Sequence, residues 1–254
     1  INDLKTNINE SEIRAIALFD PNQKKIKGNL DFQNLRIKES FFGKTKYDLL
    51  DGLLECSVNF SLSTLNNISD YKNNLILNGK CKSLNSIFKG VDLKRVASQI
   101  DDLNTFQKFI DIININEMTG TSEIQSILAN FSFRKNLLKL ENFKAIQENV
   151  VVKSNGEYLL ETNKFVIKNK FFVKTKKYKN LPPFGIKVSG TPDNYKMKYD
   201  IKEIRSILFT EGLNSILKEK KKITIDPNSL KKIFELDELE KEFKPEKLLD
   251  LFLN

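Results

Sequence analysis

The chain has 254 residues, with 42 Lys and Arg against 33 Asp and Glu and a formal net charge of +9; that length suits one large all-β domain or two smaller ones. It has no histidine, no tryptophan and two cysteines, Cys56 and Cys81, which removes the commonest general base and metal ligand and leaves too few thiols for a zinc site made of thiolates alone. No run of about 18 apolar residues occurs, so no segment can span a membrane as a helix.

In chain order, period-two alternation dominates. The most apolar short run, "IRAIALF" at 13–19, is too short to span and carries Arg14. "KIKGNLDFQ" sets Ile26, Gly28, Leu30 and Phe32 against Lys27, Asn29 and Asp31. "LECSVNF" sets Leu54, Cys56, Val58 and Phe60 against Glu55, Ser57 and Asn59, and "NLILNGKC" puts Leu75, Leu77, Gly79 and Cys81 on one side. The piece between, "SLSTLNNISDY", is weakly helical. "DLKRVASQIDDLNTFQKFIDII" predicts a helix over about 92–113: Asp92 is the N-cap, and Leu93, Val96, Ile100, Leu103, Phe106 and Ile110 form one apolar stripe.

"ANFSFRKNLLKLENFK" predicts a hairpin, with Phe131 and Phe133 before a turn at Lys135 and Asn136, and Leu138 and Leu140 after it. "VVVKSNGEYLL" and "NKFVIKNKFFVK" follow, with Val150 and Val152, then Phe165, Ile167, Phe171 and Val173 in phase. In "GIKVSGTPDNYKMKYD", Ile186 and Val188 alternate with Lys187 and Ser189. Gly190, Thr191 and Pro192 break the pattern, and Tyr195, Met197 and Tyr199 alternate with Lys196 and Lys198. A second amphipathic helix is predicted from Asp200 through Ile201, Ile204, Leu208 and Leu213. After Lys222 the character changes to a helical tail with Pro227 and Pro245 at helix starts. Strands this regular suit an extended antiparallel sheet, a sandwich or a barrel.

The charge is mostly lysine, and arginine stands only at Arg14, Arg36, Arg95, Arg134 and Arg205. Arginine reads guanine and clamps phosphate at two points, while lysine is a mobile point charge. The excess therefore suits a solvated surface near anionic lipid better than sequence-specific nucleic-acid binding. A base-composition bias in the gene accounts for it equally well. A start at Ile1 and not Met reads as a segment of a longer protein or a processed form.

The order of the elements carries a resemblance. "GNLDFQNLRI", "DGLLECSVNFSLS", "LILNGKCKSLNSIFKGVDLKRVASQI", "ILANFSFRKNLLKLENFKA", "VVVKSNGEYLL" and "GIKVSGTPDNYKMKYDIKEI" follow one another over residues 24–222. This resembles the C-terminal region of the AsmA family of bacterial envelope proteins, where a Gly, Ile-Asp-Leu, helix junction precedes a closing V-x-G-T, Pro, strand, Asp, helix. The sequence departs from the family in having Asn136 where the hairpin turn usually has Asn-Gly, and in the lysines after Gly190. The individual motifs are short, and their order and spacing carry the likeness.

The resemblance implies a mainly β fold with helices (α+β). It would be a curved, groove-like antiparallel sheet over 1–222 with two amphipathic helices, followed by the tail over 223–254 that the sequence pattern itself reads as helical. It implies a periplasmic location, an inner-membrane anchor upstream, and a non-catalytic role in phospholipid transport and outer-membrane assembly. The lipid-binding face would comprise Leu30, Phe32, Val58, Phe60, Leu75, Leu77, Phe131, Phe133, Val150, Val152, Phe165, Ile167, Phe171, Val173, Ile186 and Val188. The partners are phospholipid acyl chains and outer-membrane proteins, with no nucleic acid and no cofactor.

The same residues also fit a closed core against the two helices, and alternation alone does not choose. An alternative function is a periplasmic scaffold or chaperone-like sheet that binds outer-membrane proteins by strand addition. An enzyme is disfavoured: there is no histidine, no Gly-rich phosphate loop and no nucleophile context. Asp101 and Asp102, adjacent on a helix, diverge by about 100° and cannot share a site. "KEKKK" at 218–222 reads as a solvated helix end rather than a headgroup contact. Cys56 and Cys81 are in phase with inward residues, where buried free thiols are favoured over a disulfide.

Overall fold

A computed structural model of the chain describes residues 2–8, 11–37, 48–63, 71–101, 120–176, 181–200, 202–204 and 207. The chain divides into two units, Ile1–Leu103 with Gln107–Ile204, and Asn104–Phe106 with Arg205–Asn254. Outside the described residues lie the second unit apart from Ile207, the predicted tail, the "KEKKK" run and the predicted helix beyond Asp101.

Eleven strands build the first unit: β1 (Asn2–Ile8), β2 (Ser11–Asp20), β3 (Lys25–Ile37), β4 (Asp48–Ser63), β5 (Leu75–Lys89), β6 (Thr121–Arg134), β7 (Leu137–Gln147), β8 (Val150–Leu159), β9 (Lys164–Val173), β10 (Phe184–Thr191) and β11 (Asn194–Asp200). They form one antiparallel sheet in which each strand pairs with the next in sequence. Two helices are described, α1 (Tyr71–Asn74) and α2 (Leu93–Asp101). The sheet is therefore as expected. Of the weakly helical piece, Ser61 to Ser63 belong to β4 and Tyr71 opens α1, while residues 64–70 lie outside the described residues.

Local chemistry explains the meander. The β6–β7 turn places Lys135 and Asn136 at φ 50° and 59°, the left-handed pair that a two-residue hairpin with native twist requires. Asparagine tolerates that conformation, so Asn136 turns the chain without the glycine of the family pattern. At β2–β3 the Asp20 carboxylate accepts hydrogen bonds from the amides of Asn22 and Gln23 at 3.0 Å, an Asx turn. Pro192 and Asp193 make the β10–β11 turn, where the missing proline amide costs the ladder nothing.

Left-handed asparagines also bend the strands. Asn34, at φ 52°, marks a register shift between Phe32 and Leu35, and the buried Ser11 hydroxyl donates to its carbonyl at 3.0 Å. Asn85, at φ 49°, lies between Ser83 and Ser86, whose hydroxyls then fall on one side 2.7 Å apart. Bulges of this kind sharpen the twist of a sheet.

Helix α2 begins where the sequence predicts. Asp92 caps it, its carboxylate accepting from the Arg95 amide at 2.9 Å and its carbonyl from the Val96 amide at 3.1 Å. Leu93, Val96, Ala97 and Ile100 form the buried stripe.

Cys56 and Cys81 form a disulfide, which corrects the expectation of free thiols. They face each other directly across β4 and β5, 4.1 Å apart at Cα. Two cysteines in phase with inward positions say nothing about facing; only the β4–β5 register brings them together.

Candidate functional site

Period-two alternation puts every second side chain on one face, and the register lines these up across the sheet. One row runs through all eleven strands: Leu4, Ala15, Leu30, Val58, Gly79, Phe131, Leu140, Gly156, Ile167, Val188 and Met197. No member is polar. A flanking row runs through Ala17, Gly28, Phe60, Leu77, Phe133, Leu138, Tyr158, Phe165, Gly190 and Tyr195. The sixteen residues predicted to line an apolar face all lie on this one side.

The face has two parts. Near α2 it is closed. Ala145, Val152, Phe171 and Phe184 face one another on successive strands and are buried, as are Val150 and Val173 in the next rung. The Phe171 and Phe184 rings stack 5.1 Å apart. The stripe of α2 and Ile204 are buried with them. The amide of Leu93 donates to the Ser122 hydroxyl, which donates in turn to the Val91 carbonyl, and so fixes the start of α2 to β6. Val150, Val152, Phe171, Val173 and Ile186 therefore sit in a closed core, and Phe133 is buried as well.

Away from α2 the face is open. Leu30, Phe32, Val58, Phe60, Leu75, Leu77, Phe131, Phe165, Ile167 and Val188 are half-buried. Among the described residues the longer helix, α2, packs on β6 and β8. Two rings lie flat on glycines of the neighbouring strand. A Cβ at Gly28 would meet Phe60 Cζ at 2.5 Å, and one at Gly79 would meet Phe131 Cζ at 2.2 Å.

Some polar groups on this side bond to one another. Ser154 donates to Asn169 Oδ1 at 2.7 Å, and Asn169 Nδ2 donates to the Ile186 carbonyl at 3.2 Å. These two residues form a satisfied polar rung beside the closed core. The Ser83 hydroxyl donates to the Leu53 carbonyl at 2.9 Å, over Gly52, where a Cβ would meet the Ser86 hydroxyl at 2.7 Å. Neither rung was legible from alternation. The one hint was small and amide residues, Ser154, Asn169 and Gly52, at inward-phase positions. The disulfide lies on the same face, between Phe32 and Ala129.

A cavity of about 720 Å³ lies elsewhere, at the β5–β8 end of the sheet, lined mostly by the opposite face through Ile76, Asn78, Arg134, Leu137 and Lys139. Its cationic rim makes it a poor place for an acyl chain, and it is not part of the apolar row. Compared with protein-family models, curated proteins and solved structures, the chain matches none.

Proposed function

We propose that this chain is a non-catalytic module of AsmA kind, in which the open apolar sheet face receives phospholipid acyl chains during transport between the inner and outer membranes. The observation that supports the reading is the uninterrupted apolar row from Leu4 to Met197, half-buried over most of its length. Acyl chains need apolar contact and no polar constellation, at about 25 cal/mol per Å² buried. Ten steps between eleven strands, at about 4.8 Å each, give a track of roughly 48 Å, longer than the hydrocarbon thickness of a bilayer, about 30 Å. Successive rungs are chemically alike, so a chain moving across them meets no deep trap. In this reading the protein works in the periplasm, held by an anchor upstream.

Native mass spectrometry of the purified chain tests the proposal. Co-purified phospholipid, displaced by detergent, is the expected result. A ligand-free spectrum, with no phospholipid taken up from vesicles, overturns it. A scaffold that binds outer-membrane proteins by strand addition is the second reading, favoured by one observation: among the described residues β11 pairs with β10 alone. Co-purified peptide in place of lipid selects it.

A further inference from the structure

We infer that the opposite face of the sheet, over β7 to β11, docks on an anionic bilayer surface. The inference rests on lysine register and stands apart from the acyl-chain reading. Lys144, Lys153 and Lys170 face one another directly on β7, β8 and β9. Lys168, Lys187 and Lys198 do the same on β9, β10 and β11. All six are exposed. Like charges directly opposite each other in a ladder are destabilising, and here two such rows lie side by side. Lys170 pairs with Glu203 at 2.9 Å, and Lys153 lies over the Phe172 ring at 4.9 Å. The other four make no ion pair among the described residues. A sheet that gathers this repulsion on one face is stabilised by any partner that brings negative charge to it.

The same face of β2 to β4 is mixed. Arg14 pairs with Asp3 there, Lys5 with Glu12, and Asn29 bonds Ser57 and Asn59. The cationic excess thus belongs to the C-terminal strands.

Two features select a bilayer over a nucleic acid. The lysine rows contain no arginine, and the Phe172 ring beside them lies under Lys153, so they offer point charges without base-reading forks or an open stacking platform. Next to the Lys144, Lys153 and Lys170 row runs an apolar one, Ile146, Val151 and Phe172. It continues on β4 and β5 as Leu53 and Leu84, each 43% exposed, with Leu128 at 41% close by on β6. Lysines beside exposed leucines match the headgroup-to-acyl boundary of a membrane, where cations meet phosphate and apolar side chains enter below.

Vesicle co-sedimentation of the full chain tests this, with phosphatidylcholine vesicles against mixed phosphatidylcholine–phosphatidylglycerol vesicles. Binding is expected to the mixed vesicles alone, and to weaken with salt. Replacing Lys168, Lys187 and Lys198 by Gln should weaken it by on the order of a hundredfold, at about fivefold per lysine. The matched variant with Lys25, Lys27 and Lys80 replaced by Gln, with the same charge change, should bind within a few-fold of the parent protein. Since the chain has no tryptophan, Leu128→Trp supplies a single reporter, whose emission should shift to the blue on the mixed vesicles. Equal loss in the two lysine variants reduces the effect to net charge and overturns the proposal. So does binding that ignores phosphatidylglycerol, or tighter binding to a DNA oligonucleotide than to the mixed vesicles at the same salt.

Discussion

The ring of Phe131 lies flat over Gly79 on the next strand, so close that a Cβ at residue 79 would come within 2.2 Å of its Cζ. Phe60 covers Gly28 in the same way, but there a Cβ would also meet the Ile16 carbonyl oxygen at 2.2 Å. The two glycines should therefore respond differently. At Gly79 every close atom belongs to a ring that can swing away. Gly79→Ala should cost under about 1 kcal/mol, while lifting the ring into the open face. At Gly28 the obstacle is backbone, and Gly28→Ala should cost about 2–3 kcal/mol. Urea unfolding measures both; equal costs would mean that ring mobility is not what separates the two sites.

Sequence alternation made the apolar face legible because a single-layer sheet has one periodicity and side chains cannot change face without a bulge. Leu30, Phe131 and Val188 lie far apart in the chain, yet their phase alone puts them on one side. Which stretch of that face is closed was not legible. It depends on where α2 lands, through Ser122 and Val91, and local pattern carries no record of that. β2 was missed because "IRAIALF" is apolar at both phases. The lysine rows escaped notice for another reason. Each lysine sits at an ordinary outward position, and only the pairing of β9, β10 and β11 sets three of them abreast.

Charge on the open face should separate groove from surface. Phe165→Asp and Val188→Asp each put a carboxylate on the apolar side, where an unpaired ion is costly. Each should lower phospholipid occupancy by about tenfold or more, equivalent to about 1.4 kcal/mol. Lys187→Asp changes the opposite, exposed face and should leave occupancy near that of the parent. Mass spectrometry at matched folded fraction makes the comparison; three equal occupancies would count against the groove.

The two parts of the face should also differ in stability. Ile100, on the inner stripe of α2, is fully buried, and Ile100→Ala should cost about 2–4 kcal/mol through the cavity it leaves. Leu30 is only half-buried, so Leu30→Ala should cost less than about 1.5 kcal/mol. Chemical denaturation reads both, and a Leu30 cost as large as that of Ile100 would place Leu30 in a closed core.

Acid should loosen the β1 edge first. Arg14 donates to both carboxylate oxygens of Asp3, at 3.3 and 2.9 Å. Those hydrogen bonds hold the Asp3 carboxyl below its ordinary value, and they raise Arg14. A lowered carboxylate contributes stability above its unfolded value and loses it as pH falls through the folded one. Protection of the Leu4 and Lys5 amides, relative to β8, should therefore decline at the acid end of the carboxylate range. Asp3→Asn should remove that decline. If the decline persists in the variant, another group holds the edge.

The disulfide closes a loop with a sequence separation of 25 between Cys56 and Cys81. Cross-linking at that spacing removes unfolded-state freedom worth about 3 kcal/mol in the chain-entropy account. Replacing both cysteines with Ala should lower unfolding free energy by roughly 2–4 kcal/mol. The parent protein in dithiothreitol should fall by a similar amount, while the double variant should be indifferent to reductant. Thiol titration of the unfolded, unreduced parent should find no free thiol. Because the pair lies on the apolar face and Ala keeps it apolar, phospholipid occupancy of the double variant should stay close to that of the parent at a temperature where both are folded. A parent protein equally stable with and without reductant would mean that the bond contributes nothing to the sheet. Lost occupancy in a folded double variant would mean that the bond holds β4 and β5 in the geometry the acyl chain needs.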